Sequence, residues 1–229
     1  LKKQNNIALI FFSRNKAEEA KQKSWFKEQS KNQMLAEMLI TRASTAIQSS
    51  GIPVYHFNEA KQIGNSFGER IANAYQAMFD LGYEQVISVG NDCPDLQNIN
   101  WIELSQSLQS GKSVLGPDTR GGAYLIAIQK KSFDKSQFEK LNWQKNTLYE
   151  ELSQLCEETT ELVELNQYRD INSFHDIRFL SRQKSFTKSF LKLIAQLLQG
   201  FKGIAIEFQI KSHNFYIFKD SPLRAPPIT

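Results

Sequence analysis

The sequence predicts an α/β fold built on a mostly parallel β-sheet, and two observations carry that expectation. First, the strand-length apolar runs are continuous rather than alternating, as in Ile7–Ser13 and Ala123–Ile128. Continuous apolar runs suit strands covered on both faces. Second, these runs alternate with segments whose apolar residues recur at helical spacing, the order that builds parallel sheets through helical crossovers.

Taken in order, Ile7–Ser13 is the first strand. Arg14–Ser30 follows as a polar loop or a mobile helix, rich in Lys, Glu and Gln. Met34–Ile47 has helical periodicity and ends at Gly51 and Pro53, which lead into the short strand "PVYHF". In "SFGERIANAYQAMFDLGY", Ile71, Ala74, Tyr75, Met78 and Phe79 share one face and Gly82 suits the stop. Gln85–Val89 is the third strand, and it runs into "GNDCPDL". Helix Asn100–Gln109, strand Ser113–Leu115, the glycine-framed loop "GPDTRGG" and strand Ala123–Ile128 come next. Asn146–Cys156 reads as helix, Glu161–Leu165 as strand and Ser173–Leu180 as helix. In that last helix Asn172 or Ser173 is the expected cap, with Asp176 as its capping partner. A soft boundary near Ser181 separates a domain over residues 1–180 from an extension over 181–229. The extension reads as an amphipathic helix, Lys184–Gln199, and a β-hairpin formed by "IAIEFQI" and "FYIF".

Composition narrows the function classes. The 229 residues are 41% hydrophobic and 23% charged, ordinary values for a globular protein with a full core. A net charge of +4 without a dense basic block gives no nucleic-acid footprint. No apolar run is long enough to span a bilayer, and no signal-peptide pattern follows "IALIFF". Cys93 and Cys156 form neither a disulfide framework nor a zinc spacing, and a reducing, cytoplasmic setting fits them.

The candidate chemistry gathers at strand ends, where α/β sheets present their ligands. Asp92 ends the third strand and is the candidate metal ligand, for Mg²⁺ or Mn²⁺ shared with phosphate oxygens. Asp95 is an outer partner or a helix-start residue, and Pro94 stiffens the turn between the two. In "GPDTRGG", Asp118 and Arg120 are the candidate catalytic groups, and Gly121 and Gly122 permit close backbone approach to a ligand. The bland alternative for that loop is a tight connection between two strands. Lys16, Lys21 and Lys23 follow the first strand as a candidate phosphate cradle, and Arg70 begins a helix from which it could reach a ligand. For each of these cations a solvated surface position is the competing reading. Trp143 is a packing residue or part of an acceptor pocket, and no Ser-His-Asp or Cys-His pattern is present.

Several blocks in fixed order resemble one family. "ALIFFSR", "FGERIANAY", "VISVGNDCPDL", "GPDTRGGAYLIAI", "LNWQKNTLYEEL" and "YRDINSFHDI" are similar to successive motifs of the bacterial glycosyltransferase-A-like nucleotide-diphospho-sugar transferases. Some of those proteins are associated with radical-SAM proteins and arsenosugar biosynthesis. The resemblance covers roughly Ile7–Leu180. It implies a Rossmann-like nucleotide-binding domain with a divalent metal near Asp92, and it aligns Lys21 with the family's first-loop lysine. Three departures stand out: the first loop, "KAEEAKQKSW", lacks the family's proline, glycine and arginine; Arg120 replaces a carboxylate; and Asn172 replaces another.

The expected function is therefore transfer from a nucleotide-activated sugar, with metal-assisted departure of the nucleoside diphosphate. Arg120, Lys21 and Arg70 would help to hold the donor, and Asp118 is the candidate base. The alternatives are a nucleotidylyltransferase of the molybdenum-cofactor guanylyltransferase type and a non-catalytic homologue that binds a nucleotide or a protein. The hairpin offers an edge strand for homodimerisation.

Overall fold

The computed structural model describes residues 6–199, in which a six-stranded sheet is flanked by helices. The strands are β1 (Ile7–Phe12), β2 (Val54–Phe57), β3 (Gln85–Val89), β4 (Ser113–Pro117), β5 (Ala123–Gln129) and β6 (Leu162–Glu164). The helices are α1 (Lys16–Gln22), α2 (Gln29–Gln48), α3 (Phe67–Asp80), α4 (Trp101–Gln109), α5 (Lys135–Lys140), α6 (Leu148–Glu157), α7 (Phe174–Leu180) and α8 (Lys188–Gln199). The order across the sheet is β2-β1-β3-β5-β4-β6. Five strands run the same way and β5 opposes its neighbours β3 and β4, so the sheet is mostly parallel as expected. The hairpin expected after the amphipathic helix lies outside the described residues.

Alternation along the central strand explains the layering. Ile7, Leu9 and Phe11 of β1 point to a core shared with α2 and α4, whereas Ala8 and Ile10 point to a core shared with α3, α5 and α6. Both faces are covered, and this is why β1 reads as an unbroken apolar run. A third core lies on the outer side of α2. There Leu35, Met38 and Leu39 meet Trp25 from the α1–α2 connection, Ile177 and Leu180 of α7, and Phe190, Ile194 and Leu197 of α8. The stripe read from the sequence of α8 is thus buried against α2 and α7.

Two helices arise where the sequence pattern was equivocal or silent. α1 occupies part of the segment read as loop or mobile helix. The Asn15 side chain caps it, accepting from the backbone of Ala17 and Glu18, and Glu18 and Glu19 occupy the first turn, where acids favour the helix dipole. α5 is a six-residue turn capped by Asp134 that buries only Phe138, too short to show a period.

The β4–β5 connection is a tight hairpin, as the bland reading of "GPDTRGG" holds. Asp118 forms it by accepting at Oδ1 from the backbone of Arg120 and, at 3.1 Å, of Gly122. Gly121 has φ +81°, and a Cβ there would lie 2.0 Å from the Asn146 carbonyl oxygen. Its backbone is thus pressed against the segment before α6. The loop is tied to α7 through Asp176, whose side chain is wholly buried. Asp176 accepts from Arg120, from Arg169 at 3.2 Å and from Ser173, with which it completes the expected capping box. Burial alone would raise its pKa, but the Ser173 hydroxyl and the Arg120 and Arg169 guanidinium groups hold it below the ordinary carboxylate range.

Two predictions follow from this packing. Gly68→Ala would set a Cβ 2.2 Å from the Glu139 carbonyl oxygen. Backbone on both sides cannot yield, so urea unfolding should show a loss of about 1–3 kcal/mol despite the better helix propensity of alanine. Asp176→Ala should cost about 3 kcal/mol at neutral pH, because it strips a buried partner from two guanidinium groups. Since the folded pKa of Asp176 is depressed, its contribution is full above the ordinary value of 3.8 and is lost as pH falls through the lower folded value. The stability gap between wild type and Asp176→Ala, followed by thermal unfolding across pH, should therefore be constant near neutrality and close under acid conditions.

Candidate functional site

A cavity of about 600 Å³ opens at the carboxyl ends of β1 and β3. It lies where chain order turns back across the sheet, because β1 is followed by β2 on one side and by β3 on the other. Its walls come from Phe12–Arg14 at the end of β1, Gly90–Asp92 after β3, the β4–β5 hairpin, the segment before α6, and Asp170 and Asn172 before α7. The volume suits a small-molecule ligand.

The two ends of the cleft differ. One is aromatic: Phe67 packs against Phe12 at 5.6 Å and Trp143 at 5.5 Å between ring centroids, and all three line the cavity with Ile71. Trp143 thus joins both readings made of it, packing and pocket wall. Gln144, beside it, holds φ 65°, a left-handed conformation uncommon for a residue with a side chain and often found at binding sites.

The other end is ionic. Lys23 Nζ lies 2.6 Å from Asp92 Oδ2 and 3.5 Å from Glu19 Oε1. Burial works against the Lys23 charge, but Asp92 first and then Glu19 outweigh it, so the ammonium is held above its usual pKa. The Asp92 carbonyl accepts from Ile171 N at 2.8 Å, which brings Asp170 alongside. Burial, then the neighbouring Asp92 and Asp118, push the Asp170 carboxyl well above the carboxylate range. Two buried polar atoms in this wall have no hydrogen-bond partner among the described residues, Asn91 Nδ2 and Asp170 Oδ1.

The structure brings together some of the sequence-derived candidates and separates others. Asp92, Asp118, Arg120 and Gly122 line the cavity. Lys21 does not: it pairs with Glu18 at 2.6 Å on the exposed side of α1, and the helix turn delivers Lys23 instead. Arg70 and Gly121 are also absent from the lining; Arg70 turns its Nε into an unpaired buried position, and Gly121 serves the hairpin. Arg120 reaches the cavity but is engaged by Asp176 and, at 3.3 Å, by the Asp170 carbonyl. Sequence reasoning missed Glu19, Asn91 and Asp170 as site residues. The one signal for Asp170 was its place in "RDIN", a segment otherwise read for helix capping.

The divalent ion expected at Asp92 finds a poor fit. The carboxylate it would use is already neutralised by an ammonium at ion-pair distance, and among the described residues no group of three His, Cys, Asp or Glu side chains could hold a metal. Among those residues, too, no helix is long and apolar enough to cross a membrane.

Comparison with known proteins sets this geometry in context. A solved structure from Desulfovibrio desulfuricans G20, described as a "putative nucleotide-diphospho-sugar transferase", superposes with a TM-score of 0.66 at 21% identity, over 85% of this chain and 97% of that one. It establishes the fold. A Mycobacterium tuberculosis rv0371c homolog from Mycobacterium sp. strain JC1 matches with a TM-score of 0.45 at 9% identity, over 85% of this chain and 98% of that one, too distant to bear on the argument. No curated protein matches the sequence. Residues 27–145, more than half of the chain and the stretch that carries both Asp92 and the β4–β5 hairpin, match the family described as "Uncharacterized protein conserved in bacteria (DUF2064)", and the chain belongs to that family.

Proposed function

We propose that the cleft binds a nucleotide-activated small molecule, with a nucleotide sugar as the leading candidate, and that the protein is a glycosyltransferase. The observation that carries this reading is the two-ended cavity at the carboxyl edge of a mostly parallel sheet, aromatic at one end and ionic at the other. The fold shared with the Desulfovibrio protein supports it. The aromatic end offers Phe67 and Trp143 to a ring, as a base or sugar would need. The ionic end offers Lys23 and Arg14 to phosphate oxygens.

In this reading the bond to the sugar anomeric carbon breaks and the nucleoside diphosphate leaves with the electron pair. Positive charge fixed beside the departing oxygens lowers the barrier without reorganisation. Lys23 supplies part of that charge, shared with Asp92 and Glu19. Arg120 supplies less than its type suggests, because its guanidinium is spent on Asp176. Asp118 is the candidate base, taking the proton of the acceptor hydroxyl as that oxygen bonds the anomeric carbon; its Oδ1 also holds the hairpin.

A second reading has specific support. With Asp92 neutralised by Lys23 and Arg120 engaged by Asp176, the site also suits a protein that binds a nucleotide without turnover. The nucleotidylyltransferase alternative requires a nucleoside triphosphate and release of pyrophosphate.

Thermal unfolding against UDP- and GDP-sugars, UDP, GDP and the nucleoside triphosphates tests the binding. A true ligand at a hundredfold its Kd should stabilise by about 2.7 kcal/mol, a Tm rise of about 5–10 °C for a chain of this size. Trp143→Ala should reduce that shift. Preference for triphosphates would favour nucleotidyl transfer, binding of a nucleotide sugar without release of diphosphate to any acceptor would favour the non-catalytic reading, and no shift with any nucleotide would refute all three.

A further inference from the structure

We propose that the Lys23 ammonium takes the place of a divalent cation at the end of β3, so that the cleft meets its anionic ligand with a charge built into the chain. The identity of that ligand as a diphosphate rests on the function proposed above; the claim about the cation does not.

The local sequence explains how the ammonium arrives there. Lys23 is the residue at which α1 ends, with extended φ −113° and ψ 102° and its N–H bonded to the Glu19 carbonyl. The helix turn places Glu19 on the inner side, 3% exposed, where it flanks the ammonium that Asp92 grips. The Trp25 ring lies 5.9 Å from Nζ, and the Lys23 side chain is 20% exposed. A cation so placed is not a free surface lysine. A divalent ion at Asp92 Oδ2 would have to displace the ammonium from its 2.6 Å partner and would stand beside a part-buried positive charge, which costs more than separating an exposed pair.

The lining of the cavity holds four cations, Arg14, Lys23, Arg120 and Lys145, and four acids, Glu19, Asp92, Asp118 and Asp170. Arg120 is turned to Asp176 outside the cavity, whereas Lys23 stands between two of the cavity's own acids, Asp92 and Glu19.

The test uses Mn²⁺ alone, titrated into the full chain and followed by the electron paramagnetic resonance signal of the free ion. Wild type should show no saturable site. Lys23→Met, which keeps the packing stem but takes the ammonium from Asp92 and Glu19, should gain one weak site held by those two carboxylates and water, and the double variant Lys23→Met/Asp92→Ala should lose it again. Lys23→Gln serves as a second variant, and circular dichroism checks the fold of each. A saturable Mn²⁺ site in wild type that Asp92→Ala removes would overturn the proposal; so would a Lys23→Met protein that folds and gains no site. UDP and GDP titrations with EDTA or Mn²⁺ form a separate arm. Equal affinity in both media, with about a tenfold loss in Lys23→Met, is the expected result for one lost charge-assisted contact. A requirement for Mn²⁺ contradicts the proposal. Absence of any nucleotide binding would sink the function proposed above and leave the Mn²⁺ result to decide the cation.

Discussion

Carboxylates set at the carboxyl edge of a parallel sheet must be neutralised from somewhere, and in this protein the chain neutralises its own. Asp92 takes the Lys23 ammonium, Asp176 takes Arg120 and Arg169, and Asp170 moves toward its protonated form. Each solution ties together segments distant in sequence. The Lys23 pair fastens the end of α1 to the end of β3, and the Asp176 pair fastens the β4–β5 hairpin to the start of α7. The cleft is the space these ties enclose.

The same ties decide what the site can do. In the resembled family the first loop carries proline and glycine, whereas here "NKAEEAKQKSW" has a cap, two acids and alanines, which is a helix start. With that segment helical, Lys23 rather than the expected Lys21 faces the cleft, and Glu19 lies beside it. Local backbone propensity thereby sets the electrostatics of the site. Arg120 illustrates the converse. Its position in a glycine-rich loop beside a cavity suggests chemistry, yet its guanidinium spans to a buried capping carboxylate and holds the loop in place.

Legibility in the sequence followed the range of the interaction. β3 forms over the residues its apolar run marks, Gln85–Val89, and the Ser173–Asp176 capping box forms where its spacing places it, because both depend on neighbours a few residues away. The amphipathic stripe of α3 is buried as its period requires. The direction of β5 could not be read, since a buried strand has the same pattern whichever way it runs. Among the site residues, Asp92 was visible because a carboxylate ending an apolar run is conspicuous. Asp170, Asn91 and Glu19 were not, since their importance comes from burial beside residues brought in by the fold. Choosing Lys23 over Lys21 required knowing where on the α1 turn each side chain points.

The central claim is that the tip of β3 faces the ligand already paired with an ammonium. A crystal grown with a nucleoside diphosphate and Mn²⁺ tests it most directly, through the anomalous difference map at the manganese edge. The account predicts diphosphate density beside Lys23 Nζ, with Asp92 still paired and no anomalous peak between them. An anomalous peak within bonding distance of an Asp92 oxygen, with the Lys23 side chain swung away, would contradict it.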